Sequence, residues 1–138
     1  MKKREKVANV MTKDVLTINV NDSLHNANNL FNSKKLRHLP VVANDHLVGI
    51  LSQTDILRIS FGNTFGEQNG GDEAIFEMLS INQVMKHSPT TVTSNDTLKD
   101  AAQILAEKEF HALPVVDDEK LVGIITTTDL LNYFISES

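Results

Sequence analysis

The chain of 138 residues contains no cysteine, which rules out a disulfide framework, a thiolate metal site and a cysteine nucleophile together. Long apolar runs are missing as well. After the charged start Met1-Lys2-Lys3-Arg4-Glu5-Lys6, the stretch Val7-Ala8-Asn9-Val10-Met11-Thr12 is broken by asparagine, so no signal peptide is expected. No apolar stretch elsewhere approaches the ~20 residues needed to span a bilayer. Positive charge is scarce, with 13 Lys and Arg against 18 Asp and Glu and a net charge of −5, which opposes nucleic-acid and membrane-surface binding. The basic start reads as a solvated helix beginning, and the expected location is the cytoplasm. The histidines His25, His38, His46, His87 and His111 show neither His-x-x-x-His nor His-Glu-x-x-His spacing, so no metal site is expected. Neither a Gly-x-Ser-x-Gly elbow nor a Gly-x-Gly-x-x-Gly turn occurs, and no Gly-Lys-Ser/Thr follows the glycine-rich stretch 61–72. The expectation is a protein that is not an enzyme.

What is present is a repeat. A shift of 74 residues lays Val10–Leu57 on Val84–Leu131 without a gap. Val10-Met11 falls on Val84-Met85, Leu39-Pro40-Val41-Val42 on Leu113-Pro114-Val115-Val116, Leu47-Val48-Gly49-Ile50 on Leu121-Val122-Gly123-Ile124, and Thr54-Asp55 on Thr128-Asp129. Each copy predicts the same elements. A short β-prone stretch (Val15–Ile18, or Thr90–Val92) precedes a helix expected to be N-capped by Asp22 or Asp96. Leu24, Ala27, Leu30 and Phe31, and then Leu98, Ala101, Ile104 and Leu105, follow at helical spacing. Two strands come next, Leu39–Val42 with Leu47–Leu51 and Leu113–Val116 with Leu121–Ile125, each pair joined by a polar turn. A last helix starts near Ser52 or Thr126.

The fold class expected is α/β in the α+β sense: two β-α-β-β-α repeats packed sheet to sheet with pseudo-two-fold symmetry. A unit of about fifty residues buries little surface alone, and two copies can cover each other's apolar faces. The chain 1–138 then forms one module, with repeats at 10–60 and 84–135 and a linker loop and helix at 61–83. The loop reads as a flexible connector or a dimer-contacting flap, and 73–79 as a short helix.

Ser52-Gln53-Thr54-Asp55 and Thr126-Thr127-Thr128-Asp129 each follow a glycine-containing strand and open a helix. A hydroxyl there, with free amides behind it, suits a phosphate, and an acceptor-only carboxylate three residues on can take both ribose hydroxyls. The same spacing is equally a capping-box variant that needs no ligand.

The doubled pattern His-Leu-Pro-Val-Val … Leu-Val-Gly-Ile-Leu-Ser-x-x-Asp, with its entering Val-Met-Thr and Val-Met-Lys, resembles a pair of CBS domains, the cystathionine-β-synthase-type repeats of a Bateman module. The resemblance covers essentially the whole chain. It implies a stand-alone regulatory module binding an adenosine-containing ligand (AMP, ADP, ATP, S-adenosylmethionine, sometimes a dinucleotide) in clefts between the repeats. It also implies a homodimer and a regulated protein still to be identified. No cofactor is obligatory; the adenine nucleotide or S-adenosylmethionine is a regulatory ligand. Ser52 and Thr126 would lie near phosphate, Asp55 and Asp129 on ribose, and Thr54 and Thr128 beside them. Arg37, His38 and His111 would face the phosphates, a guanidinium suiting bidentate contact, although His111 also reads as an edge-of-core histidine. Ala112 replaces His38 in the second copy, so the two phosphate ends differ. Thr17, Ile18 and Pro40, with Thr91, Val92 and Pro114, would form the adenine slots, though valine and proline there equally serve a strand core. IMP dehydrogenase carries such a pair inserted in a catalytic barrel, for which this chain has no residues. The alternative reading is a ligand-free dimerisation or protein-interaction module of the same fold.

Overall fold

A computed structural model describes residues 4–61, 71–108 and 110–137. Residues 1–3 of the basic start and 62–70 of the glycine-rich stretch lie outside the described residues, so the readings of both as tail and flap are not addressed by it. The described chain divides into two compact units, Leu16–Ser88 and a second made of Met1–Val15 with Pro89–Ser138.

The unit Leu16–Ser88 contains β1 (Ile18–Asn19), α1 (Leu24–Lys34), β2 (His38–Ala43), β3 (His46–Ser52), α2 (Gln53–Phe61), α3 (Gly71–Met78), α4 (Ile81–Val84) and β4 (Lys86–His87). Its sheet runs in the order β1-β2-β3-β4, with β1 parallel to β2 and the other pairs antiparallel. β1 is shorter than the expected Val15–Ile18 strand. The β2–β3 hairpin turns on Asn44 and Asp45, both left-handed with φ of 51° and 67°. Two successive positive φ values define the type I′ turn whose twist matches the flanking strands, and Asn and Asp tolerate it best after glycine.

α1 is capped by Ser23, whose hydroxyl accepts from the Asn26 amide at 3.0 Å. The expected cap, Asp22, stands one residue too early to reach that amide. Its Oδ1 instead accepts from the Ser23 amide at 2.8 Å and from the Asn26 side-chain amide at 2.6 Å. The apolar face of α1 buries Leu24, Ala27 and Phe31 against Leu39, Val41 and Leu51 of the hairpin. Each of the larger side chains contributes about 2 kcal/mol of transfer free energy. The stretch read as a linker supplies Phe76 and Ile81 to this same core, with Met85 behind them.

The second unit repeats the plan with α5 (Leu98–Lys108), β5 (Ala112–Asp117), β6 (Lys120–Thr126) and α6 (Thr127–Glu137). Single bridges stand where β1 and β4 stood: Val92 pairs parallel to Val115, and Thr12 antiparallel to Ile124. The type I′ turn is built from Asp118 and Glu119, with φ of 49° and 67°. The α5 cap is Thr97, in a reciprocal pair with Asp100 (3.1 and 3.2 Å), while Asp96 accepts from the Thr93 amide. Here too the cap falls one residue after the expected aspartate.

The N-terminal segment belongs to this unit. A 3-10 turn at Val7–Asn9 places Val7 in its core, fully buried with Val92, Leu98, Leu113, Val115 and Ile125. The Val7 amide donates to the Asp96 carbonyl at 2.8 Å, the Leu98 amide to the Glu5 carbonyl at 2.8 Å, and the Tyr133 hydroxyl to the Glu5 carboxylate at 3.1 Å. The packing units are thus exchanged relative to the repeat: Val10-Met11-Thr12 docks on the second hairpin and Val84-Met85-Lys86 on the first. The glycines receive them. A Cβ on Gly49 would lie 2.4 Å from Met85 Sδ and 2.8 Å from the Lys86 carbonyl; on Gly123 it would lie 2.6 Å from Met11 Sδ and 2.9 Å from the Thr12 carbonyl. The Leu-Val-Gly-Ile and Val-Met motifs are therefore two halves of one backbone-to-backbone contact.

Ile56 and Ile59 of α2, and Leu130 and Tyr133 of α6, pack on the cores, whereas Leu57, Leu131, Phe134 and Ile135 are exposed. Among the described residues, no helix is long and apolar enough to cross a membrane.

Candidate functional site

Strand register gathers the candidate residues of each repeat at one end of its hairpin. In the first unit β1 and β2 start there, Ile18 pairing with Val41, while β3 finishes there, Ser52 pairing with His38. The Gln53 amide donates to the Arg37 carbonyl at 2.9 Å, which brings the start of α2 against the entrance to β2. Thr17, Ile18, Arg37, His38, Pro40, Ser52, Thr54 and Asp55 thus share that end. In the second unit Val92 pairs with Val115, Ala112 with Thr126, and the Thr127 amide donates to the His111 carbonyl at 3.0 Å. Thr91, Val92, His111, Pro114, Thr126, Thr128 and Asp129 are collected in the same way.

Within these sets the side chains divide by exposure. Thr17, Arg37, Thr54, Thr91, His111 and Thr128 are exposed; His38, Ser52, Thr126 and Asp129 are half-buried. Ile18, Pro40, Val92 and Pro114 are buried, so their side chains are core and only their backbone could meet a ligand. The Val92 backbone is already committed, its amide donating to Pro114 at 3.1 Å and its carbonyl accepting from Val116 at 2.8 Å.

The two helix starts carry reciprocal caps. The Asp55 amide donates to Ser52 Oγ at 3.0 Å and the Ser52 amide to Asp55 Oδ2 at 3.0 Å; the Thr126–Asp129 pair repeats both at 3.0 Å. Such a pair satisfies amides that would otherwise lack partners at the end of a strand. The hydroxyl oxygens accept from their own helices and keep one proton each to donate. The capping reading of Ser/Thr-x-x-Asp therefore holds in both copies, and any phosphate or ribose contact is additional to it.

Beyond the cap the two carboxylates differ. Asp55 is 2% exposed and its Oδ1 accepts from Arg58 Nη1 at 3.0 Å, Arg58 itself being 65% exposed. Asp129 is half-buried and accepts instead from the Thr12 hydroxyl, shared between its oxygens at 3.2 and 3.3 Å. The residue equivalent to Arg58 is Asn132, and the residue equivalent to Thr12 is Lys86. Neither Arg58 nor Thr12 was among the expected site residues. The spacing Asp55-x-x-Arg58 was a readable helical pair; Thr12 and Asp129, 117 positions apart, offer no local signal.

A second unequal pair lies at the other end of the hairpin. Asp117 accepts from the Ser94 hydroxyl at 2.5 Å and from its amide at 2.9 Å, which lowers its pKa below the usual 3.8. Its counterpart in the first copy is Ala43.

The CBS domain model matches the chain twice, over residues 7–62 and 81–136, and the chain belongs to the CBS-domain family as a tandem pair. A CBS domain-containing protein of Dictyostelium discoideum is 31% identical over 132 residues, 94% of this chain and 90% of its own length. Protein MJ1225 of Methanocaldococcus jannaschii is 30% identical over 94% of this chain, which spans only 47% of that relative. Among solved structures, CBSX2 of Arabidopsis thaliana, determined in complex with AMP, is similar with a TM-score of 0.80 and 29% identity, over 96% of this chain and 98% of that one. The likeness establishes the tandem CBS-pair fold expected from the repeat.

Proposed function

We propose that this CBS pair is a regulatory sensor module, not a catalyst, that binds an adenosine-containing ligand such as AMP, ADP, ATP or S-adenosylmethionine. The observation carrying this reading is that each unit assembles the same end-of-hairpin set, with a hydroxyl and a carboxylate opening a helix. In this reading Asp55 and Asp129 accept the ribose hydroxyls. Ser52 and Thr126 donate their remaining protons to phosphate, and Arg37 and His111 stand exposed at the strand entrances to meet it. His38 adds to the first set, where the second has Ala112. Thr17, Ile18 and Pro40, and Thr91, Val92 and Pro114, flank the adenine. The AMP complex of CBSX2 supports the ligand class. The ligand tightens a homodimer or its packing, and a regulated partner reads the change.

Calorimetry on nucleotide-free protein with AMP, ADP, ATP, S-adenosylmethionine and NAD tests this reading. Binding of at least one of them below the millimolar range is expected, and none binding would sink it. A second reading is supported by the reciprocal caps, which give the same residues a ligand-free purpose: the chain is then a dimerisation module. Thermal unfolding with and without nucleotide separates the two, because a ligand selective for the folded state raises its stability, by about 2.7 kcal/mol at a hundredfold excess over Kd.

A further inference from the structure

We propose that Arg58 is a resident competitor for the Asp55 carboxylate and makes the two half-sites fill in order, the Asp129 site first. The proposal rests on the adenosine reading above and adds its ranking. A ribose binds a carboxylate by donating two hydroxyls, so it needs acceptor capacity that is both exposed and electrostatically free. Asp129 offers this: it is half-buried, and its partner outside the cap is the neutral Thr12 hydroxyl at 3.2–3.3 Å, a long and shared bond. Asp55 does not. It is 2% exposed, and the oxygen outside the cap is held at 3.0 Å by a guanidinium. A guanidinium–carboxylate pair of that length is stronger than the longer bond from a neutral hydroxyl in the other unit. A ribose can reach Asp55 only after Arg58 has swung off.

Arg58 is suited to swing. Its side chain is 65% exposed, so on leaving Asp55 the guanidinium is hydrated, and the ribose hydroxyls take its place as donors to the buried carboxylate. The competition is therefore a graded handicap and not a block. Asn132 stands at the equivalent position of α6, exposed, with no bond to Asp129, so the handicap is absent from the second unit. The charge at the strand entrances, Arg37-His38 against His111-Ala112, weighs in the opposite direction.

Exchanging the two residues tests the ranking. AMP is titrated calorimetrically into nucleotide-free full-length protein, wild type and the variants Asp129→Ala, Asp55→Ala, Arg58→Asn and Asn132→Arg, each checked for cooperative unfolding. The wild type is expected to show a tighter and a weaker step, with Asp129→Ala removing the tighter one. Arg58→Asn should strengthen the weaker step about fivefold, and Asn132→Arg should weaken the tighter step by a similar factor. Asn132→Arg adds a charge at an exposed position, so it keeps the test decisive should Arg58→Asn fail to fold. Loss of the tighter step in Asp55→Ala, or exchanges that leave both constants within twofold, would overturn the ranking while leaving the adenosine reading standing. No AMP binding by the wild type would overturn both.

Discussion

Replacing Gly123 by alanine tests whether the motif glycines exist to admit the entering segment. The added Cβ would stand 2.6 Å from Met11 Sδ and 2.9 Å from the Thr12 carbonyl oxygen, against ordinary contacts of 3.4 Å or more. The sulfur belongs to a flexible side chain and can yield; the carbonyl cannot move alone. It must retreat by about 0.5 Å, the difference between ordinary contact and 2.9 Å, and it accepts from the Ile124 amide at 3.0 Å while the Thr12 amide donates to Ile124 at 2.8 Å. Stretching both bonds costs about 1 kcal/mol each, and forcing a methyl into a filled site adds ~1–3 kcal/mol. The expected loss is about 3 kcal/mol, a large share of the ~5–15 kcal/mol that holds a domain together. Urea unfolding followed by circular dichroism should show the midpoint falling by roughly 1.5–2 M with the slope unchanged. Adding Met11→Ala should recover only the part due to sulfur. A Gly123→Ala protein within ~0.5 kcal/mol of wild type would refute the reasoning. Because Thr12 carries the hydroxyl that reaches Asp129, the same variant should also lose that contact.

Three further outcomes are expected. Glu119 holds a φ of 67° in the second type I′ turn, a conformation costing a non-glycine residue roughly 1 kcal/mol, so Glu119→Gly should raise the unfolding free energy by up to about 1 kcal/mol; a fall would show that the Glu119 side chain stabilises the turn. Asp117 titrates below its usual 3.8 because of Ser94, so its contribution to stability is present above pH 3.8 and is lost as pH falls through the lowered folded value. Ser94→Ala should therefore cost stability at pH 6 but not at a pH below both values, and a stability difference independent of pH would contradict the assignment. Asp55→Ala should destabilise more than Asp129→Ala, about 2 against about 1 kcal/mol, because it removes both a cap and the carboxylate facing Arg58; equal losses in urea melts would argue against the asymmetry.

Much of this protein was legible in its sequence because its signals are local. Two hairpins, four principal helices and the equivalence of the copies follow from period, turn residues and self-similarity, each decided within a few positions. Errors of one residue, such as Asp22 for Ser23 and Asp96 for Thr97, arose where adjacent residues are both competent caps and only the amide geometry chooses between them. Other features could not be read from any window. Val-Met-Thr and Val-Met-Lys are nearly the same word, so local chemistry permits either to dock on either glycine; packing assigns Met11 to Gly123 and Met85 to Gly49. Likewise the carboxylates Asp55 and Asp129 follow similar polar triplets, Ser52-Gln53-Thr54 and Thr126-Thr127-Thr128. Whether each is handed to a guanidinium or to a hydroxyl depends on what the fold brings from one helical turn away or from the far end of the chain. The sequence by itself determined the elements and the doubled residue set. Tertiary structure alone decided which entering segment completes which unit and that the Thr12 hydroxyl reaches Asp129, because those contacts join residues whose separation along the chain carries no pattern.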